Sequence, residues 1–481
     1  MRVKINKDKI LVLIILIIAI SAFCINAKFE INDELWNFSN INKMCNGSTI
    51  YKDINVIITP LFFYIGQGLF SLIGANYLVF RIYNILIFTM FFYLIYSLFI
   101  TLKTDKVTAK IYTSIIFIIS IPLFTQGANY NILVLNFVIL GILSYIKYAD
   151  IKVKGSILQG IIIFLIFLTK QNCAVYYVIG LIIINIIKII NDRKKLKQYL
   201  LNLTVIAITS IALVSTYIAY LALTNNLYNA INYTILGMGE FTQNAISSEI
   251  LYIVPVATII IILIYIVKNP QIPITQEAKG NIKVLLSFSI PMLGLCYPLM
   301  NRYHFQLAIY TTIITFLYTL DVLFIKEIFP QIKYKKIIRN VVIISSTAFL
   351  VVSIVKFINR TENYSYNQPY YGANMNETDV KQLEVVCNYI ATNKNVYVIS
   401  YQANFYANSM KTNNGVLDLP FVGNLGKEGE QGLINKIEQM ENVKILISKE
   451  EFHQYSLKVR EYIEQNCKQV GEIESLLIYE K

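Results

Sequence analysis

Long uninterrupted apolar runs constrain this chain before anything else. Ile10–Ala27, Ile85–Leu102, Leu200–Leu223 and Val341–Val355 are examples. About 20 consecutive apolar residues cross the hydrocarbon core of a bilayer. Backbone polar groups find no water there, so such runs must be helices. Only 15% of the residues are charged, against about a quarter in a soluble protein. A polytopic helical membrane protein is the reading that fits.

Eleven spans are expected, near 10–27, 80–101, 111–126, 129–147, 156–169, 173–190, 200–223, 249–267, 284–299, 304–324 and 340–357. The stretch Ile54–Gly74 is apolar too, but Pro60 and three glycines interrupt it. It reads as re-entrant or interfacial. The net charge of +13 would fit nucleic-acid binding if it lay on one face. It does not. From Ile358 onward there are 12 Lys and Arg against 16 Asp and Glu, so the membrane part carries the whole excess. That excess sits in alternate short loops, among them Lys103/Lys106/Lys110, Lys188–Lys197 and Lys268–Lys283. The positive-inside bias makes these loops cytoplasmic. Eleven spans then place the N-terminus inside and the C-terminal part outside, in a cell membrane. The basic segment Met1–Lys9 and the first run read as an uncleaved helix.

The expected division is a transmembrane domain over 1–358, with a first external loop over 28–79, and an extracytoplasmic α/β domain over 359–481. In the latter, Thr378-Asp379 can cap a helix reaching about Thr392. Val396–Ser400, Val443–Ser448 and Glu474–Tyr479 read as strands. Gln431–Met440 and Glu450–Asn466 read as helices. Gly423, Gly426 and Gly429 lie outside any strand–turn–helix context and read as a loop. Six scattered cysteines give no metal pattern. Cys387 and Cys467 share the C-terminal domain, and whether they pair is open. A divalent metal is likewise open.

Charged residues are nearly absent from the spans, where each costs about 2.5 kcal/mol or more. The informative polar groups stand at external span ends, where a lipid-linked substrate presents its head group. Asn32 is a candidate cap for a helix beginning at Asp33-Glu34. Leu35, Phe38, Ile41 and Met44 or Cys45 share a face, so that helix would lie on the membrane. Its dipole favours an ionised carboxylate in the first turn, which suits a base that accepts a hydroxyl proton. The same two acids also suit simple dipole compensation. Trp36 reads as an interfacial anchor, with sugar stacking as the sharper alternative. Lys170, Arg302 and Arg81 stand outside against the charge bias, with His304 close to Arg302. They can hold a phosphate by charge-assisted hydrogen bonds, or simply snorkel to lipid head groups. Glu240 and Glu249 are weaker acidic candidates.

Asp33-Glu34, Tyr51-Lys52-Asp53, Thr59-Pro60-Leu61, Gly74, and Arg81 with Asn84 form a pattern. It continues through Asn129-Tyr130-Asn131, Thr169-Lys170-Gln171-Asn172, Tyr297-Pro298 and Arg302-Tyr303-His304. In these features the chain resembles the GT-C superfamily of membrane glycosyltransferases. That group includes protein O-mannosyltransferases and the aminoarabinose transferase of lipid A. The resemblance implies a bacterial cell-envelope enzyme of inverting type. Its donor would be a polyprenyl-phosphate-linked sugar and its acceptor an extracytoplasmic glycan, lipid or protein. Asp33 would be the base, with Glu34 beside it. Lys170, Arg302, His304 and Arg81 would meet the donor phosphate. Tyr51, Asp53, Asn129, Asn131 and Gln171 would complete the site. Asn129 and Asn131 stand where many members have a second acid. The alternative from a different class is a polysaccharide or lipid-linked-sugar transporter or flippase. It calls for two related halves and mid-membrane charges.

Overall fold

A computed structural model describes residues 7–29, 33–124, 127–148, 153–239, 253–296, 302–325, 351–352, 354–355, 358, 370–393, 395–400, 424–450 and 457–481. The expected last span, 340–357, lies mostly outside these residues. Glu240, Glu249 and Tyr297-Pro298 lie outside them entirely.

The apolar runs become helices. They are α1 (Lys7–Cys24), α4 (Tyr77–Thr101), α5 (Lys106–Phe124), α6 (Tyr130–Tyr148), α7 (Lys154–Thr169) and α8 (Gln171–Asn191). Then follow α9 (Leu196–Leu223), α10 (Leu227–Ile231), α11 (Ile253–Lys268), α12 (Gln276–Met292) and α13 (Arg302–Leu320). Six described helices are long and apolar enough to cross a membrane: Tyr77–Thr101, Lys106–Phe124, Tyr130–Tyr148, Gln171–Asn191, Arg193–Leu223 and His304–Leu323. Leu61–Ile73, Lys154–Thr169 and Ile253–Lys268 are apolar but shorter. The chain is therefore a multi-pass helical protein with at least six such helices.

Packing follows the apolar faces. α4 lies against α1 and α6, α6 against α7, α7 against α9, and α12 between α8 and α13. The basic loops converge on one end of the bundle. Lys106, the first residue of α5, pairs with Asp8 at the start of α1, at 2.6 Å. Lys103 from the α4–α5 loop pairs with Glu277 at the start of α12, at 2.7 Å.

The opposite end carries the first loop. It holds α2 (Asp33–Cys45) and α3 (Leu61–Ile73). α3 begins after Pro60 and stops at Gly74, whose φ of +131° few other residues adopt. Thirteen residues of helix span about 20 Å, short of a bilayer core, as the interrupted apolar stretch implies. α2 does not lie on a lipid surface as expected. Ten of its thirteen residues are buried, including Glu34, Asn37, Asn40 and Asn42. The loop that follows α2 is tied to neighbouring segments. Asn226 donates to Ile50 O at 2.6 Å, Gln171 to Ile57 O at 2.8 Å, and Asn55 to Asn424 O at 2.8 Å.

The C-terminal module stands at this same end. Asn374 donates to Asn26 O, Phe29 N–H to Asn374 O, and Leu78 N–H to Tyr371 O. It comprises α14 (Glu377–Thr392), α15 (Gly429–Glu438), α16 (Leu457–Asn466) and a sheet of β1 (Val396–Ile399), β2 (Lys444–Ser448), β3 (Lys468–Ile473) and β4 (Leu476–Glu480). The strand order is β1-β2-β4-β3, with β1 and β2 parallel and the other pairs antiparallel. The cap of α14 is Asn376 rather than Thr378, in a reciprocal capping box with Asp379. No disulfide joins Cys387 to Cys467.

Candidate active site

The site is built where α2 begins and α7 gives way to α8. α2 opens on Asp33, and the expected cap Asn32 lies outside the described residues. The Asp33 side chain keeps a solvent-accessible surface. Yet the protein gathered round it pushes its carboxyl above the ordinary carboxylate value, and the Lys170 charge only partly offsets this. A side chain that is both accessible and enclosed lines a recess.

Lys170 is the extended residue between α7 and α8, with φ −159° and ψ 107°. The break projects its side chain sideways rather than along a helix. Its Nζ donates to Asn131 Oδ1 at 2.6 Å and stands 5.5 Å above the Tyr130 ring. A cation held over an aromatic face keeps its charge while losing water. Burial lowers the Lys170 pKa, and Cys173 and then Asp33 oppose that. An ammonium has three donors, and Asn131 takes one of them.

Asn129 and Asn131 have distinct tasks. Asn129 Oδ1 accepts from Asn131 N–H at 2.7 Å, capping the start of α6. That cap aims Asn131 at Lys170. A buried amide can orient a lysine without neutralising it, which a carboxylate in the same place would not do. His304, in the first turn of α13, is half-buried and within the electrostatic reach of Lys170. The side chain of Arg302 lies outside the described residues. Among the described residues, no three of His, Cys, Asp and Glu gather where a metal could sit.

Arg81 and Glu34 lie elsewhere than expected. They form a buried ion pair, Arg81 NH2 to Glu34 Oε1 at 3.0 Å, with Glu34 wholly covered and Arg81 1% exposed. The same guanidinium nitrogen donates to Lys28 O at 3.1 Å and reaches Ala27 O at 3.3 Å. Arg81 thus ties the end of α1, the start of α2 and the start of α4. The reason is helical geometry. Consecutive residues are about 100° apart round a helix, so Glu34 points away from the recess that Asp33 lines. Both side chains are buried in this pair.

Tyr51 and Asp53 shape the first loop. Tyr51 is buried at φ +67° and donates to Ile58 O at 2.9 Å. Asp53 is exposed and accepts from Thr49 N–H at 2.7 Å. Gln171 donates to both Ile57 O and Thr234 O, joining the first loop to the segment after α9. Trp36 is not an interfacial anchor. It is buried edge-on against Phe63, 5.8 Å away, and Tyr130, 6.4 Å away. Tyr130 is the contributor that residue reasoning missed. Its position inside the Asn-Tyr-Asn motif was the available signal.

Gly127, just before α6, bears on the ion pair. Its φ is +68°, and an added Cβ would collide with the Glu34 side chain. Left-handed strain of about 1–2 kcal/mol adds to overpacking of about 1–3 kcal/mol. Gly127→Ala is expected to lower the detergent-solubilised protein's thermal stability by the sum, whereas Gly239→Ala, with open space around it, should change it little.

No known family's sequence profile matches the chain, and no curated protein does. The structure of ArnT from Cupriavidus metallidurans bound to undecaprenyl phosphate superposes on it with a TM-score of 0.57. The match covers 98% of this chain and 97% of ArnT at 8% identity. The apo structure of the same protein also matches, at a TM-score of 0.47 and 7% identity. The likeness shows a shared fold, running from the first helix to the C-terminal module.

Proposed function

We propose, from the fold it shares with ArnT, that this chain is a membrane glycosyltransferase using a polyprenyl-phosphate-linked sugar. The observation that carries the reading is the placing of Lys170, held by Asn131 over the Tyr130 ring, within electrostatic reach of Asp33 at the start of α2, at the bundle end that also holds the C-terminal module. ArnT was crystallised with undecaprenyl phosphate, which makes a lipid-linked phosphate the natural donor class for this chain.

Asp33 accepts the proton of an acceptor hydroxyl as that oxygen attacks the anomeric carbon. The sugar–phosphate bond breaks, and polyprenyl phosphate leaves. Single displacement of this kind inverts the anomeric centre. Lys170, aimed by Asn131 and seated over Tyr130, holds the phosphate and stabilises the charge that develops on it. His304 adds a donor at the same place, with Arg302 at the start of α13. The C-terminal module is placed to meet a glycan, lipid or protein acceptor. Arg81 and Glu34 act as structural supports.

The raised Asp33 carboxyl and the lowered Lys170 ammonium set the pH limits. Activity needs Asp33 ionised, so its acid limb is expected above the ordinary 3.8. It needs Lys170 charged, so its alkaline limb is expected below the ordinary 10.5. Membranes carrying the wild type should consume one member of a panel of labelled polyprenyl-phosphate sugars. Lys170→Gln should reduce that turnover by about 100-fold, the effect of losing one charge-stabilising donor, and Lys170→Arg should restore part of it. An equally active Lys170→Gln variant would remove the phosphate role.

A further inference from the structure

Two faces of α2 are buried in different ways. Glu34, Phe38 and Ile41 turn toward α3 and α4. Glu34 pairs with Arg81, Phe38 packs on Phe70, Tyr77 and Phe80, and Ile41 lies against Gly66. Asp33, Asn37 and Asn40 repeat the same spacing one residue earlier, so they share the next face. Asn37 and Asn40 are wholly buried, and neither the oxygen nor the nitrogen of either amide has a hydrogen-bond partner. Trp36 stands on the flank of this face away from Glu34. Its Nε1 is buried without an acceptor.

Ring contacts fix where this face looks. Trp36 meets the Tyr130 ring edge-on at 6.4 Å, and Lys170 Nζ stands 5.5 Å over the same ring. Asn129, just before Tyr130, spends its Oδ1 on Asn131 N–H and keeps a buried Nδ2 without a partner. The residues adjoining Asp33 and Lys170 thus leave an indole N–H and two amides unsatisfied. Buried polar groups are nearly always paired, and one left bare is costly. Such groups beside a proposed reaction centre are donors and acceptors held for a ligand.

We infer that Trp36 Nε1 and the Asn37 amide receive hydroxyls of the transferred sugar, and that this sugar is uncharged. The inference rests on the glycosyltransferase reading of Asp33 and Lys170. Asn37 stands about 6 Å along the helix axis from Asp33 and Asn40 about 10 Å. Asn37 is therefore the one within reach of a sugar whose reacting carbon lies beside Asp33. An indole N–H donates, and an amide both donates and accepts, as a sugar hydroxyl does. A cationic or anionic substituent would meet no counter-charge from these groups. Both side chains are covered by protein, so the sugar seats by displacing the side chains over them. The hydrogen bonds it supplies offset that displacement.

The test measures lipid binding to the full-length protein in detergent. The probes are polyprenyl phosphate alone and the same lipid carrying glucose, galactose, mannose, glucosamine or glucuronic acid. One neutral hexosyl lipid should bind about tenfold tighter than the bare lipid, the worth of two net hydrogen bonds, and the charged hexoses should gain nothing. Trp36 is the only tryptophan, so its emission should shift further with the neutral hexosyl lipid than with the bare one. Asn37→Leu and Trp36→Phe should each lower the ratio of hexosyl to bare-lipid affinity about fivefold, whereas misfolding would weaken both lipids alike. Asn37→Leu should also melt no lower than the wild type, because it removes an unpartnered amide. A lower melting point would make Asn37 a structural residue. Preference for a charged hexose, equal binding of hexosyl and bare lipids, or an unchanged ratio on both variants would overturn the inference and leave the transferase reading standing. Failure to bind even bare polyprenyl phosphate would overturn that reading, and the inference with it.

Discussion

Asp33→Asn is expected to lower donor turnover by about 10²- to 10⁴-fold, the range for loss of a positioned general base. Asparagine keeps the size and the hydrogen-bonding edge of the side chain, and it keeps α2 intact. It cannot accept the acceptor's proton. Donor binding should therefore survive while turnover is lost, because the proposed phosphate grip is Lys170, held by Asn131 and Tyr130. Asp33→Glu should recover a fraction, since its carboxylate sits one methylene too far into the recess. The acid limb belongs to the same group, so it should vanish from the residual activity of Asp33→Asn. Glu34 offers no substitute base, being wholly buried against Arg81. A drop in donor binding that matched the drop in turnover would make Asp33 a binding residue instead.

Arg81→Ala should destabilise the protein by about 3–5 kcal/mol, because it strands a buried carboxylate. Glu34 has no exposure through which water could replace the guanidinium. Ala27 O and Lys28 O would lose a shared donor at the same time. The join between α1, α2 and α4 loosens with them. Glu34→Gln should cost less than Arg81→Ala, since an amide still accepts a hydrogen bond. The double variant Arg81→Met with Glu34→Gln should be more stable than the sum of the singles, because no lone charge remains. Thermal unfolding of the purified protein in detergent measures each. If Arg81→Ala unfolds like the wild type but fails to bind the donor phosphate, Arg81 belongs to the site after all.

Helix positions were legible from the residues themselves. Apolar runs mark the helices because nothing else satisfies a backbone in hydrocarbon. Pro60 and Gly74 mark the ends of α3 by their own backbone restrictions. Lys170 stood out as a lone charge at a span end, and Asp33 by its place with Glu34 in the first turn of a helix. The partner of Arg81 was not legible. It lies 47 residues away, and the loop between decides the pairing by tertiary packing. The inward turn of Trp36 was hidden for the same reason, since α2 shows an apolar face whether lipid or protein covers it. β3 escaped notice because it is an edge strand with mostly exposed side chains, so Lys468–Ile473 has little alternation to read. The tying of the loop after α2 by Asn226, Asn55 and Gln171 depends on amides, whose donors and acceptors match almost any partner.

The most direct test is a mass balance on the donor with the purified protein in liposomes. Sugar-labelled and lipid-labelled polyprenyl-phosphate donors are supplied with an extract of candidate acceptors. The account predicts one polyprenyl phosphate released for each sugar joined to acceptor by the wild type, and neither product from Asp33→Asn despite undiminished donor binding. Donor that crosses the bilayer with its sugar–phosphate bond intact, at equal rates for wild type and Asp33→Asn, would contradict it and make the chain a transporter of the same lipid.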